Sequence, residues 1–145
     1  MQPEQDLCII EAPAFLPALT MGAHPGLGQH VSVVGYPYLR PLTLTEGYLR
    51  DMAFEVQFYD RLEDMECNLS NQKKDNVPTW FGVIAVCVSS FMSYDMNVTI
   101  YPGNSGSPVL DDAGQVVGVA FATAQGMGMS NALRYEALAS ILSVY

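Results

Sequence analysis

Positive charge is scarce in this chain of 145 residues: six lysines and arginines stand against fifteen aspartates and glutamates, a formal net charge of −9. Of Arg40, Arg50, Arg61, Lys73, Lys74 and Arg134, only the two lysines are adjacent. No basic stripe can track a phosphate backbone, so nucleic acid is excluded from the expected partners. Cysteine is also scarce. Cys8, Cys67 and Cys87 lie far apart and form no CxxC pair. Neither zinc nor a redox motif has an anchor, and no metal or cofactor is expected. An odd number of thiols cannot close a full disulfide framework, which fits a reducing compartment or simply buried thiols. The apolar runs are short and interrupted, well below the length of a membrane span, so no membrane partner is expected. Met1-Gln2-Pro3-Glu4-Gln5-Asp6 has neither the basic nor the apolar region of a secretory leader. No compartment follows from this, the cytoplasm being the one favoured, and the sequons at Asn68 and Asn97 carry little weight.

Apolar residues are plentiful. They make up 50% of the chain, and charged residues only 14%, enough for one core in a single domain over residues 1–145. Short β-rich runs recur along it. Leu7 to Ile10 reads as a buried strand, and a chain that starts inside a strand reads as truncated. His30 to Gly35 is a second strand, closed by Tyr36-Pro37. Leu42 to Leu49 alternates as a third, with Gly47 as a bulge or close approach. Phe54 to Phe58 could continue it. Asp60 to Asn76 is polar and reads as a long surface loop or short helix. Its carboxylates Asp60, Glu63, Asp64 and Glu66 read as a solvated face rather than a cation site. Trp80 to Ser89 and Met96 to Tyr101 are strand-like again. Pro108 to Leu110, the turn Asp111-Asp112-Ala113-Gly114 and Gln115 to Thr123 make a hairpin. Ser130 or Asn131 can cap a final helix, with Leu133, Ala137, Leu138, Ile141 and Leu142 on one face. Strands at regular spacing with one terminal helix predict an antiparallel barrel or sandwich.

Between two of these strands stands Tyr101-Pro102-Gly103-Asn104-Ser105-Gly106-Ser107-Pro108. Glycine admits left-handed backbone and close approach to a ligand. Such a turn can hold a serine hydroxyl outward and aim backbone N–H groups at one point, the geometry of an acyl-transfer nucleophile and its oxyanion hole. Taken alone, the same residues make an ordinary hairpin turn.

The order of strand, serine turn, strand, Asp-Asp-Ala-Gly turn, strand and terminal helix resembles the C-terminal half of a chymotrypsin-fold, trypsin-like serine peptidase. The branch it resembles most is the bacterial, phage or HtrA-type one, with its Gly-Asn-Ser-Gly-Gly-Pro motif. Ser107 stands in place of the second glycine. Asp112 to Val119 resembles that family's hairpin after the nucleophile. Gln29 to Pro37 with Thr43 to Leu49 resembles its first strands, and Asp6-Leu7-Cys8-Ile9-Ile10 the segment of its catalytic aspartate. The resemblance spans nearly the whole chain except Asp60 to Trp80. It implies an all-β fold: an antiparallel Greek-key β-barrel with a C-terminal α-helix, the N-terminal barrel largely missing.

By the same resemblance, Ser105 is the nucleophile, the amides of Gly103 and Ser105 form the oxyanion hole, and Asp6 orients a histidine. One such amide donor is worth roughly 3–4 kcal/mol in the transition state. Thr99, Ile100 and Tyr101 form one wall of a substrate pocket, and Val119, Ala120 and Phe121 the opposite edge. None is charged, which implies a small or apolar residue before the cleaved bond. Met127 and Met129 flank glycines near that pocket, as substrate contacts or as packing. Asn104 replaces the aspartate that pairs with a freed N-terminus in secreted relatives, so activation by propeptide cleavage is not expected.

The triad order in this fold is His, Asp, Ser, and only five residues precede Asp6. His24 and His30 follow it, and each reads as structural. A subtilisin-type order is opposed by the β-rich pattern. The α/β-hydrolase elbow fails at Ser107. A dyad with Lys73 or Lys74 would use lysines that read as solvated charges. The expected function is a serine endopeptidase acting through an acyl-enzyme on Ser105, inactive alone for want of its histidine. The alternative is a non-catalytic homologue that binds peptides or a protein partner. The expected partners are a peptide or protein substrate and, through an exposed barrel-docking face, a second copy of the chain.

Overall fold

The computed structural model describes residues 7–13, 17–61, 67–124 and 129–144. Seven strands and one helix follow in order: β1 (His30–Gly35), β2 (Thr43–Arg61), β3 (Gln72–Thr79), β4 (Gly82–Met96), β5 (Pro108–Leu110), β6 (Val116–Ala124), β7 (Met129–Leu133) and α1 (Tyr135–Leu142). The sheet order is β2-β1-β5-β6-β7-β4-β3, and an added β2–β4 pairing closes six of the strands on themselves. Every strand pair with a resolved register is antiparallel. This is the all-β barrel with a C-terminal helix that the sequence implies. The chain divides into two compact units.

The larger unit, residues 11–54 and 93–145, holds the barrel. Alternation in β1 buries Val31 and Val33 completely. With Leu49, Tyr94, Met96, Val98, Ile100, Val109, Val117, Ala120 and Ala132 they form one core cluster. Each buried valine, leucine or isoleucine side chain contributes about 1.5–3 kcal/mol. Gly47 is a close approach rather than a bulge: a Cβ there would lie 2.5 Å from Asn97 Oδ1.

β7 corrects the expected helix start. Ser130 and Asn131 are not caps; they lie in a strand paired with both β4 and β6. Buried Asn131 donates through Nδ2 to Ser93 Oγ at 3.3 Å, and Ser93 Oγ donates to Phe54 O at 2.9 Å. The helix begins later, after Arg134, which makes no side-chain capping bond. Its first N–H, from Tyr135, donates instead to Tyr94 Oη at 2.9 Å. A tertiary contact thus satisfies one of the donors that a helix start leaves unpaired. Burial pushes the Tyr94 phenol up to about 12.

The smaller unit comprises residues 1–10 and 55–92. It changes three readings. Leu7 makes only an isolated bridge, and Ile9 and Ile10 are exposed, so no buried strand runs there. The polar stretch after Asp60 is not one long loop: β2 reaches Arg61 and β3 starts at Gln72. Lys73 pairs with Val88 and Lys74 with Cys87 across the β3–β4 ladder. The third correction concerns the thiols. Cys67 and Cys87 form a disulfide, while Cys8 is free and exposed. Such bonds persist where thiols are not kept reduced. Glu63, Asp64 and Glu66 of the acidic cluster lie outside the described residues. No described helix is long and apolar enough to cross a membrane.

Candidate active site

The serine turn joins the segment after β4 to β5. Its shape follows from two glycines, Gly103 at φ 98° and Gly106 at φ 86°, a region closed to most L-residues. Asn104 N–H donates to Tyr101 O and Ser107 N–H to Asn104 O, each at 3.0 Å. β6 holds the far side: Gly106 N–H donates to Ala120 O at 2.7 Å, and Ala120 N–H to Ser107 O at 2.9 Å. Ser105 is thereby exposed at the crest. Its hydroxyl donates to Phe121 O at 3.2 Å. Among the described residues, the amides of Gly103 and Ser105 donate to no internal acceptor.

Asn104 points the other way and is fully buried. Among the described residues neither its Oδ1 nor its Nδ2 has a hydrogen-bond partner. Ser107 is buried beside it. Both crowd Gly35, the last residue of β1, where a Cβ would collide with Ser107 Oγ and Asn104 Oδ1. Sequence reasoning missed Gly35. The available signal was a glycine immediately before Tyr36-Pro37, closing a strand that carries three valines.

Both histidines of the sequence are committed elsewhere. His24 Nε2 lies 2.7 Å from Glu136 Oε1, and its Nδ1 lies 2.9 Å from Pro25 O. The hydrogen bond to Glu136 holds the His24 imidazole above its ordinary value, helped by the Pro25 carbonyl. Partial burial pushes Glu136 upward, but its bonds to His24 and to its own amide, with Arg134 nearby, hold it below the usual carboxylate value. His30 Nδ1 lies 2.6 Å from Asp112 Oδ1. Neither ring pairs with Ser105, as the structural reading of each expects. Asp6 lies outside the described residues, as does Met127.

The six pocket residues divide. Thr99 and Tyr101 are exposed and Val119 and Phe121 half-buried. Ile100 and Ala120 belong to the core cluster. Their side chains pack in the barrel. Among the described residues no group of three His, Cys, Asp or Glu side chains could hold a metal ion.

Residues 1–119 match the model of the trypsin-like peptidase domain. Among solved structures, the active form of the Rv3671c protease from M. tuberculosis aligns with a TM-score of 0.64 at 25% identity, over 89% of this chain and 48% of that one. Its inactive form aligns with a TM-score of 0.62 at 23% identity, over 90% and 56%. The serine endoprotease from Yersinia pestis aligns with a TM-score of 0.57 at 15% identity, over 90% and 36%. The chain thus spans about half, or less, of these proteins. A search of curated protein sequences finds no match.

Proposed function

We propose acyl transfer at Ser105, from the premise that this chain belongs to the trypsin-like peptidase family. The observation that carries the proposal is the exposed hydroxyl of Ser105 on a turn whose Gly103 and Ser105 amides have no internal acceptor. Ser105 Oγ attacks the carbonyl carbon of a peptide bond. Its proton passes to an imidazole, and the carbonyl oxygen, now negative, settles against the two amides. The C–N bond breaks as the imidazolium protonates the leaving amine. Water then releases the acyl group by the same path in reverse.

The imidazole is neither His24 nor His30, so it comes from outside these 145 residues. Asp6 is the residue assigned to orient it. Thr99, Tyr101, Val119 and Phe121 carry no charge, which favours a small or apolar residue before the cleaved bond. A second reading, peptide binding without cleavage, is favoured by one observation: His24 and His30 pair with Glu136 and Asp112 rather than with Ser105.

Chemical rescue separates the two. The purified chain is treated with p-nitrophenyl acetate, with and without added imidazole, and digested for mass spectrometry. Acetylation of Ser105 that requires imidazole and vanishes in Ser105→Ala supports acyl transfer. No acetylation under either condition favours the binding module.

A further inference from the structure

The turn between β1 and β2 holds the described non-glycine residues with left-handed backbone: Tyr38 at φ 51° and Leu39 at φ 58°. Left-handed angles press Cβ against a carbonyl oxygen, and bulky residues rarely keep them. Such strain persists where the surroundings over-determine it, and it clusters at ligand clamps. Here the surroundings are the serine turn. Tyr38 N–H donates to Pro102 O at 2.8 Å, and Arg40 N–H to Pro37 O at 2.9 Å. A Cβ on Gly103 would lie 2.8 Å from Tyr36 O and 3.1 Å from Tyr38 N. The strained turn therefore backs the oxyanion glycine.

Its outer side is apolar. Leu39 is 97% exposed, Tyr36 59%, Tyr38 56% and Tyr101 41%. The Tyr38 and Tyr101 rings lie 5.8 Å apart and tilted by 45°. The Arg40 guanidinium stands 5.9 Å above the Tyr38 ring. Among the described residues Arg40 has no carboxylate partner, in a chain where acidic residues outnumber basic ones fifteen to six. A cation with no carboxylate partner among the described residues, beside exposed rings, offers charge complementarity to an acidic, apolar ligand.

We propose that Tyr36 to Arg40, with Tyr101, is a peptide-binding ledge of the Ser105 site. It takes a large apolar side chain of the substrate on Tyr38 and Tyr101, and the carboxylate of the adjacent substrate residue on Arg40. This deepens the reading of Ser105 as a peptide-processing centre and rests on it.

The test is calorimetric titration of the Ser105→Ala chain with blocked hexapeptides. One carries phenylalanine followed by glutamate, the second has glutamine for the glutamate, and the third has alanine for the phenylalanine. The phenylalanine–glutamate peptide binds about fivefold tighter than its glutamine counterpart and about tenfold tighter than its alanine counterpart. Arg40→Gln erases the first preference alone, and Tyr101→Ala the second alone. Both sites are exposed, and circular dichroism verifies the fold of each variant. Equal affinities, a glutamate preference that survives Arg40→Gln, or no binding at millimolar peptide overturns the proposal. Acetylation of Ser105 can succeed when these titrations fail, and the titrations can succeed when acetylation fails.

Discussion

Ser105 Oγ donates to the main-chain carbonyl of Phe121 at 3.2 Å, one residue beyond the Ala120 carbonyl that holds Gly106 N–H at 2.7 Å. β6 therefore sets both the backbone of the serine turn and the resting position of its hydroxyl. In the proposed acyl transfer the hydroxyl leaves Phe121 and hands its proton to a base. A neutral hydrogen bond of this kind is worth only about 1 kcal/mol net, so the resting contact is no large barrier. For that proposal the larger obstacle is the base, since His24 and His30 pair with Glu136 and Asp112.

Gly35 and Ser107 depend on each other. A methyl group at Gly35 collides with Ser107 Oγ and lies 2.7 Å from Asn104 Oδ1. Gly35→Ala is expected to cost about 1–3 kcal/mol, as overpacking does. Ser107→Gly in the same molecule returns part of that loss. Urea denaturation of the two single variants and the double variant measures the coupling, and strict additivity would contradict it.

Asn104 is neutral where, among the described residues, its side chain has no hydrogen-bond partner. Asn104→Asp places a carboxyl at a fully buried position, where desolvation favours the protonated form. Its folded-state pKa is then raised above the unfolded value. The expected loss is about 3 kcal/mol at neutral pH. That deficit is full above the raised pKa and shrinks as pH falls toward the unfolded value. Thermal melts of both proteins from neutral to acidic pH give the profile, and a deficit that grows on acidification would contradict this account.

The His24–Glu136 pair makes stability depend on pH in a defined window. His24 is raised above 6.5, so its contribution is full below that value and is lost as pH rises through the folded pKa. Glu136 is lowered below 4.5, so its contribution is full above that value and is lost as pH falls through the folded pKa. The difference in Tm between the wild type and Glu136→Gln is therefore expected to peak between about 4.5 and 6.5 and to narrow on either side. Melting curves across pH 3 to 9 check it (about one point per unit).

The Cys67–Cys87 disulfide spans a sequence separation of 20. Closing a loop of that length is worth about 3 kcal/mol through the unfolded chain. Reduction is expected to lower amide protection in β3 and in the Gly82-to-Met92 part of β4. β5 and β6 keep theirs. Hydrogen exchange with and without reductant reads this directly.

What was legible in the sequence was local. The glycines of the serine turn, the Asp111-to-Gly114 reversal and the strand from His30 to Gly35 each follow from short-range chemistry, and each stands where it was expected. What was not legible depends on pairing across the fold. Ser130 and Asn131 look like helix caps, yet Asn131 spends its amide on Ser93 of β4. Gln72-Lys73-Lys74-Asp75 has no apolar face, yet it is held as a strand by the β4 ladder. The thiol pairing could not be read from spacing, because three cysteines allow three pairings. Of the candidate site, the serine turn was legible. The restraint of Gly35 is tertiary and showed in the sequence only as a glycine before Tyr36-Pro37, and the strain at Tyr38 and Leu39 left no pattern there.

The central claim is that Ser105 is a nucleophile whose proton acceptor is absent from these 145 residues. The most direct measurement is mass-spectrometric acetylation of Ser105 by p-nitrophenyl acetate across a titration of imidazole. The account predicts negligible modification without imidazole, a rise with imidazole concentration, and none in Ser105→Ala. Acetylation of Ser105 without added imidazole, lost in His24→Gln or His30→Gln, would contradict it.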